Sequence, residues 1–302
     1  MVGAALPEKV PIVSVVLPAR DGAATIGCAI GSICSQTLVD WELLLIDDGS
    51  DDATIALAET FRDARIRIFK DGLRLGIAAR LNQGMDLARG RYLARMDADD
   101  IAYPERLARQ TAYLEQHQEI DLVGTRALLF RGEGEAIALF PFRATHEEIC
   151  ARPWNGFYLP HPTWMGRIEW FRRFRYRTPE IIRAEDQDLL LRAFDSSRFA
   201  CLTEVLLGYR LAPTTLLKLL SVRVNLAGAQ FVVNLRAGRF LFAFLGAAGF
   251  LTKAAIDLAR YLAGGRGAWR YRRQSIPPAE AARWEAAWQA AKAACTASKD
   301  AG

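Results

Sequence analysis

Residues 12–17 (IVSVVL) form a β-branched, apolar run, the signature of a strand buried on both faces. After the loop "PARDG", Ile26, Ala29, Ile30 and Ile33 recur at helical spacing. A second buried strand, "WELLLI" (41–46), leads into "DDGSDD", where Ser50 or Asp51 can cap a helix over 52–62. "RIRIF" (65–69) alternates like a half-covered strand, and Ile77, Leu81 and Met85 at i, i+4, i+8 predict a helix to about Ala88. "YLARM" is the fourth strand, and Pro104 stands where an N1 proline starts the next helix. Farther on, "DLVGTRALLF" and "EVLLGYRL" read as strands, and Thr145 with Glu148 as a capping box. "LPHPTWMGR" reads as a structured loop, and "AEDQDLLLRAF" as a helix with Glu185, Asp186 and Asp188 in its first turn.

Strands alternating with helices predict an α/β fold: a mostly parallel sheet with helices on both faces. Ligands in such folds bind outside the carboxyl ends of the strands. The loops "PARDG", "DDGSDD" and "DADD" each follow such an end and should therefore gather at one rim. Asp97, Asp99 and Asp100 repel one another unless water or a metal compensates them. An EF-hand starting at Asp97 needs Gly and Glu where Ala102 and Ala108 stand. A phosphatase of the Asp-x-Asp type carries its nucleophile after the first strand, not the fourth. A strand-end Asp-x-Asp holding Mg²⁺ or Mn²⁺ against a nucleoside diphosphate meets neither objection; a merely solvated acidic loop is the bland alternative. Capping chemistry explains Ser50, Asp51 and Asp52 but not Asp47 and Asp48, which end a buried strand. Taken alone, "AEDQD" is ordinary helix-start chemistry and His161 an ordinary structural histidine.

Four blocks then combine. "VSVVLPARDGAATIGCAIGSICSQTLVDWELLLIDDGSDD", "GIAARLNQGMDLARGRYLARMDADD", "HPTWMGR" and "AEDQDLLLRA" closely resemble the family 2 glycosyltransferases, in order, over about residues 11–212. The resemblance implies the GT-A fold, with a nucleotide-binding part over about 11–120 and an acceptor part over about 121–213. It implies an inverting enzyme with a nucleotide-sugar donor (a UDP- or dTDP-sugar) and Mn²⁺ or Mg²⁺. Carried over by residue, Pro18, Ala19, Arg20, Asp48, Arg80 and Asp97 fall on the donor side, and Asp97 and Asp99 at the metal. Asp186 falls at the catalytic base, and His161 and Glu185 on the acceptor or diphosphate side. The family loop Pro-x-Tyr-Asn reads "PARD" here, so Arg20 and Asp21 leave the base preference open.

Charge separates the remainder from this region. The net charge is +5, yet residues 216–273 hold ten Lys or Arg against one acid, Asp257, so this segment is +9 and the rest −4. A basic appendage over 214–302 on an acidic body suits an anionic surface. Its run "FLFAFLGAAGFL" (240–251) has twelve residues, short of the roughly twenty that cross a bilayer, so helices lying on a membrane are expected ahead of soluble helices packed on the domain or a true span. Nucleic acid is a poorer partner, since no nucleic-acid module is present. Trp284 and Trp288 mark a last amphipathic helix with a fraying end. The five cysteines are scattered and never spaced C-x-x-C; with no signal-peptide pattern, they read as reduced thiols in a cytoplasmic protein. The expectation is a glycosyltransferase at the inner membrane face, acting on a lipid-linked or surface-polysaccharide glycan; the pathway rests on family analogy. Two alternatives differ in class. A sugar-nucleotide pyrophosphorylase needs a Gly-rich basic phosphate cradle in the first loop, and a non-catalytic membrane scaffold has no use for intact Asp48, Asp97, Asp99 and Asp186.

Overall fold

The structure, a computed structural model, describes residues 10–179, 184–211, 216–262 and 275–300. Its first half alternates as the periodicity predicts: β1 (Val13–Ala19), α1 (Ile26–Cys34), β2 (Trp41–Asp47), α2 (Thr54–Glu59), β3 (Ile66–Phe69), α3 (Ile77–Leu87) and β4 (Tyr92–Arg95). The short β5 (Ile101–Ala102), α4 (Arg106–Gln116), β6 (Leu122–Arg131), β7 (Glu135–Leu139) and α5 (His146–Ile149) follow. Then come β8 (Met165–Arg167), α6 (Ile168–Arg173), α7 (Glu185–Ala193), β9 (Phe199–Arg210), α8 (Leu216–Arg236), α9 (Phe240–Leu262) and α10 (Pro278–Asp300).

One sheet runs in the order β3-β2-β1-β4-β8-β6-β9-β5, with β7 paired to β6. The β3-β2-β1-β4 half is parallel throughout. The second half brings in antiparallel neighbours, β8 lying against both β4 and β6, while β6 and β9 are parallel. Alternation along β1 splits the core. Val13, Val15 and Leu17 pack with Ile26, Ile30 and Ile33 of α1 and Leu107 of α4. Val16, with Leu44 and Ile46 of β2, packs on the other face with α3, α6 and α7. Before the terminal Asp47, Glu42 is the one polar residue of β2. Ser14, the Arg89 backbone N–H and Arg67 satisfy its buried carboxylate, so the strand stays in the core.

Three local readings are corrected. Neither Ser50 nor Asp51 caps α2, which starts at Thr54; instead Asp52 accepts from the Thr54 N–H at 2.9 Å. Pro104 lies outside α4, which opens at Arg106, because the Pro104 carbonyl bonds back to the Thr37 N–H at 2.9 Å. The last helix is present as expected, but it is docked on the domain. Trp284 is 2% exposed and Trp288 3%, both in a third core cluster with Tyr103, Phe130 and Leu128. Glycines cut the groove that receives it. A Cβ on Gly208 would lie 2.1 Å from the Trp284 ring, and one on Gly134 2.8 Å from that of Trp288. The boundary expected at 213–214 lies outside the described residues.

Candidate active site

The first two loops are stitched together. The Asp21 N–H donates to Ser50 Oγ, the Asp51 N–H to Asp21, and the Ala23 N–H to Asp52, at 2.9–3.0 Å. Asp21 adopts φ +48°, a left-handed conformation that aspartate tolerates better than most residues. Pro18 and Ala19 end β1 at this junction, with Arg20 exposed beyond them. Asp47 belongs to the turn after all, because it accepts from Ser50 Oγ at 2.6 Å. Asp48 does something else. Its Oδ1 accepts from the Leu75 N–H at 2.7 Å, the Gly76 N–H at 3.0 Å and Arg80 Nε at 3.1 Å, while Oδ2 has only a 3.2 Å contact with Gly76. Arg80 is 1% exposed, and its guanidinium bonds Asp71, Gln83, the Leu73 carbonyl and Asp48. All five of its donors are engaged inside the protein, so Arg80 builds the 71–76 loop and has no donor left for a phosphate.

The acidic loop follows β4. Arg95, 3% exposed, grips Asp97 through both nitrogens at 2.6 and 2.5 Å. Asp100 accepts from the Arg210 N–H at 2.8 Å, yet its buried Oδ2 has no partner. The Arg210 side chain donates to the Asp99 carbonyl at 2.9 Å and the Gly132 carbonyl at 2.6 Å, and lies 4.5 Å over Phe130 and 5.9 Å from Trp288. Asp99 receives no side-chain hydrogen bond from a described residue. Burial, then the neighbouring Asp97 charge, pushes its carboxyl up to about 6, and the same causes raise Asp100. Oxygens of Asp97, Asp99 and Asp100 lie within 4.8 Å of one another. Crowded hard oxygens, one of them buried and unpartnered, are the donor set that Mg²⁺ or Mn²⁺ takes.

The helix start at Glu185 faces this loop. Ala184 turns into α7 through a left-handed φ of +62°. Burial, then the Asp186 charge, pushes Glu185 up to about 7; burial raises Asp186 as well, while the bond from Gln187 Nε2 at 3.1 Å opposes the shift. His161 lies between Tyr176, whose hydroxyl is 2.6 Å from Nε2, and Glu185, 3.8 Å from Nδ1. Burial, then the Arg95 charge, lowers His161, so its ring is neutral at pH 7. Arg95 is the hub, because its charge acts on Asp99, Asp100, His161, Tyr176, Glu185 and Asp186 alike. Sequence reasoning missed Arg95, Tyr176 and Arg210. The first was visible as a lone cation inside an apolar strand; nothing local marked the other two. Asp188 lies apart from this constellation, fully buried and ion-paired to Arg177 and Arg192.

The sequence pattern of glycosyl transferase family 2 matches residues 14–175. EpsE of Bacillus subtilis, named as a glycosyltransferase, is 35% identical over 61% of this chain and 67% of its own. S. aureus TarS in complex with UDP-GlcNAc superposes with a TM-score of 0.59 at 14% identity, over 88% of this chain and 94% of that one. The mannosyltransferase PcManGT from Pyrobaculum calidifontis, in complex with GDP-Man and Mn²⁺, gives 0.58 at 19% identity, over 96% of this chain and 87% of its own. With the mixed sheet and the strand-end acidic loop described above, these likenesses make the chain a GT-A-fold glycosyltransferase of family 2.

Proposed function

We propose that this enzyme is an inverting, metal-dependent transferase moving a sugar from a nucleoside diphosphate sugar to an acceptor hydroxyl. The observation that carries the reading is the acidic loop at the end of β4, within electrostatic reach of Asp186 across Arg95. Asp97 and Asp99 would hold the ion, with Asp99 the freer ligand because Arg95 occupies Asp97. A divalent ion bound there supplies Lewis-acid stabilisation of the departing diphosphate. Asp186 takes the proton from the acceptor hydroxyl as its oxygen forms the new bond to the anomeric carbon. The old C–O bond breaks on the opposite face, and its electron pair leaves with the diphosphate. The rim where Pro18, Ala19, Arg20 and Asp48 meet receives the nucleoside, with Asp48 Oδ2 the oxygen free to accept from a base or ribose. Arg80 acts at one remove, by fixing the loop that Asp48 holds. His161 and Glu185 stand beside the base on the acceptor side. UDP, dTDP and GDP sugars all remain candidate donors, given the UDP-GlcNAc bound to TarS and the GDP-Man bound to PcManGT.

We further place the enzyme peripherally at the cytoplasmic face of an anionic membrane, acting on a lipid-linked or surface-polysaccharide acceptor. Phe240, Leu241 and Phe244 of α9 are 61%, 68% and 65% exposed, on a strongly basic segment. Among the described residues no helix is long and apolar enough to cross a membrane. The decisive test is Asp99→Ala. It should abolish Mn²⁺-dependent binding of UDP, dTDP and GDP in calorimetry while leaving the fold intact. Unchanged affinity for whichever nucleotide binds the wild type would refute the metal assignment.

A further inference from the structure

A cavity of about 600 Å³ opens in the second half of the domain, beside α5 and the turn at 153–156. Phe142, Arg143, Arg152, Asn155, Gly156 and Tyr158 line it, and none of these belongs to the acidic loop or the nucleoside rim. Its charge is unbalanced. The Glu148 carboxylate on its wall is turned to the backbone, accepting from the Ala144 N–H at 2.8 Å. Neither Arg143 nor Arg152 forms an ion pair with a described residue. Among the described residues Arg143 bonds its neighbour's carbonyl, Phe142, at 3.0 Å and lies 5.3 Å over the Tyr158 ring. Two exposed guanidinium groups, one of them over an aromatic ring, against the single Glu148 carboxylate that the backbone holds, form a receptor for a phosphate oxyanion.

The position of the cavity gives this receptor a purpose. Phe157, next to its rim at Gly156, is one side chain from the proposed base. The Phe157 N–H donates to Gln187 Oε1 at 2.8 Å, and Gln187 Nε2 donates to Asp186 Oδ2 at 3.1 Å. The same turn is braced by α9. Lys253 Nζ donates to the Asn155 carbonyl at 3.2 Å, and Phe242 stacks 5.0 Å from Trp154. One turn at the rim of the cavity, residues 154–157, therefore connects both to the base, through Gln187, and to the helix with the exposed apolar residues. We propose that it is the acceptor's anion pocket. Arg143 and Arg152 would grip a phosphate or diphosphate group on the acceptor, leaving the acceptor's hydroxyl at Asp186. The proposal rests on the reading of Asp186 as base, and it makes the acceptor an anionic, phosphate-bearing molecule rather than a neutral glycan.

The probe is inorganic pyrophosphate, titrated calorimetrically into the full chain in EDTA, so that no metal links it to the acidic loop. Saturable binding is expected, weakened roughly tenfold or more in Arg143→Ala/Arg152→Ala, the scale of lost charge-assisted contacts. Arg173→Ala, an exposed cation elsewhere, should bind like the wild type. Equal pyrophosphate affinity in the double variant and the wild type, or no saturable binding at all, would overturn the proposal. Farnesyl diphosphate separates the sources. Binding much tighter than that of pyrophosphate, and still lost in the double variant, assigns a lipid-linked group, whereas matched affinities assign a soluble phosphate. Nucleoside diphosphate binding with Mn²⁺, measured on the same proteins, tests the donor reading independently and should not change in the double variant. If pyrophosphate binds as expected while no nucleotide binds with Mn²⁺, the transferase mechanism fails and the anion pocket stands.

Discussion

Replacing Trp284 by alanine asks whether the last helix is part of the catalytic domain. The indole is 2% exposed, pairs with Phe130 at 4.7 Å and Tyr103 at 6.0 Å, and donates to the Gly134 carbonyl at 2.7 Å. Gly208 has no side chain to collapse into the space, so the substitution leaves a cavity. Truncating a buried Trp in such a setting costs about 3–5 kcal/mol. For a domain of this size each kcal/mol moves the melting temperature by about 2–4 °C, so a fall of roughly 6–20 °C is expected by scanning calorimetry. Trp284→Phe should recover part of it. A second readout follows from Arg210, which sits over Phe130 near Trp288 and holds the Asp99 carbonyl. Loosening this stack should weaken Mn²⁺-dependent nucleotide binding even at temperatures where the variant is fully folded. A loose surface tail would respond within about ±0.5 kcal/mol. A melting shift under about 2 °C with unchanged nucleotide affinity would therefore refute the docked-helix account.

Asp186→Asn should slow transfer roughly a hundredfold or more with donor affinity unchanged, read in steady-state kinetics. Asp188→Asn is no neutral control, because its buried carboxylate holds Arg177 and Arg192. It should cost about 3 kcal/mol in a urea titration, while Asp186→Asn leaves stability near wild type. Should Asp188→Asn alone abolish transfer at full stability, the base assignment is wrong. The raised Glu185 carboxyl predicts a pH effect. A carboxyl whose folded pKa lies above its unfolded value favours folding most below the unfolded value and loses that contribution as pH rises through the folded one. Metal-free protein should therefore lose stability between pH 4.5 and about 7, and Glu185→Gln should flatten part of that slope in thermal melts; an unchanged profile would count against it. Phe240→Asp/Phe244→Asp should reduce partitioning onto phosphatidylglycerol vesicles at least tenfold, as expected from losing buried aromatic surface. Equal sedimentation with vesicles would sink the membrane-surface reading.

The sequence by itself determined the strands and helices of the first half. Each is written in a local pattern: near-continuous apolar runs for β1 and β2, and Ile77, Leu81 and Met85 along one face of α3. It also pointed to one rim, because the carboxyl ends of parallel neighbours must lie side by side. Tertiary structure alone decided which groups are available there. Asp48 and Asp51 look equivalent along the chain, yet Asp48 is folded over by the 71–76 loop while Asp51 is exposed and pairs with Arg74. Asp186 and Asp188 lie in the same helical turn, but the helix rotation turns one toward Arg95 and the other into an ion pair with Arg177 and Arg192. Arg210 meets Asp100 across 110 residues, and Trp284 fills the space above Gly208. Neither contact leaves a local trace, since a period records which face a residue turns inward but not what arrives to cover it.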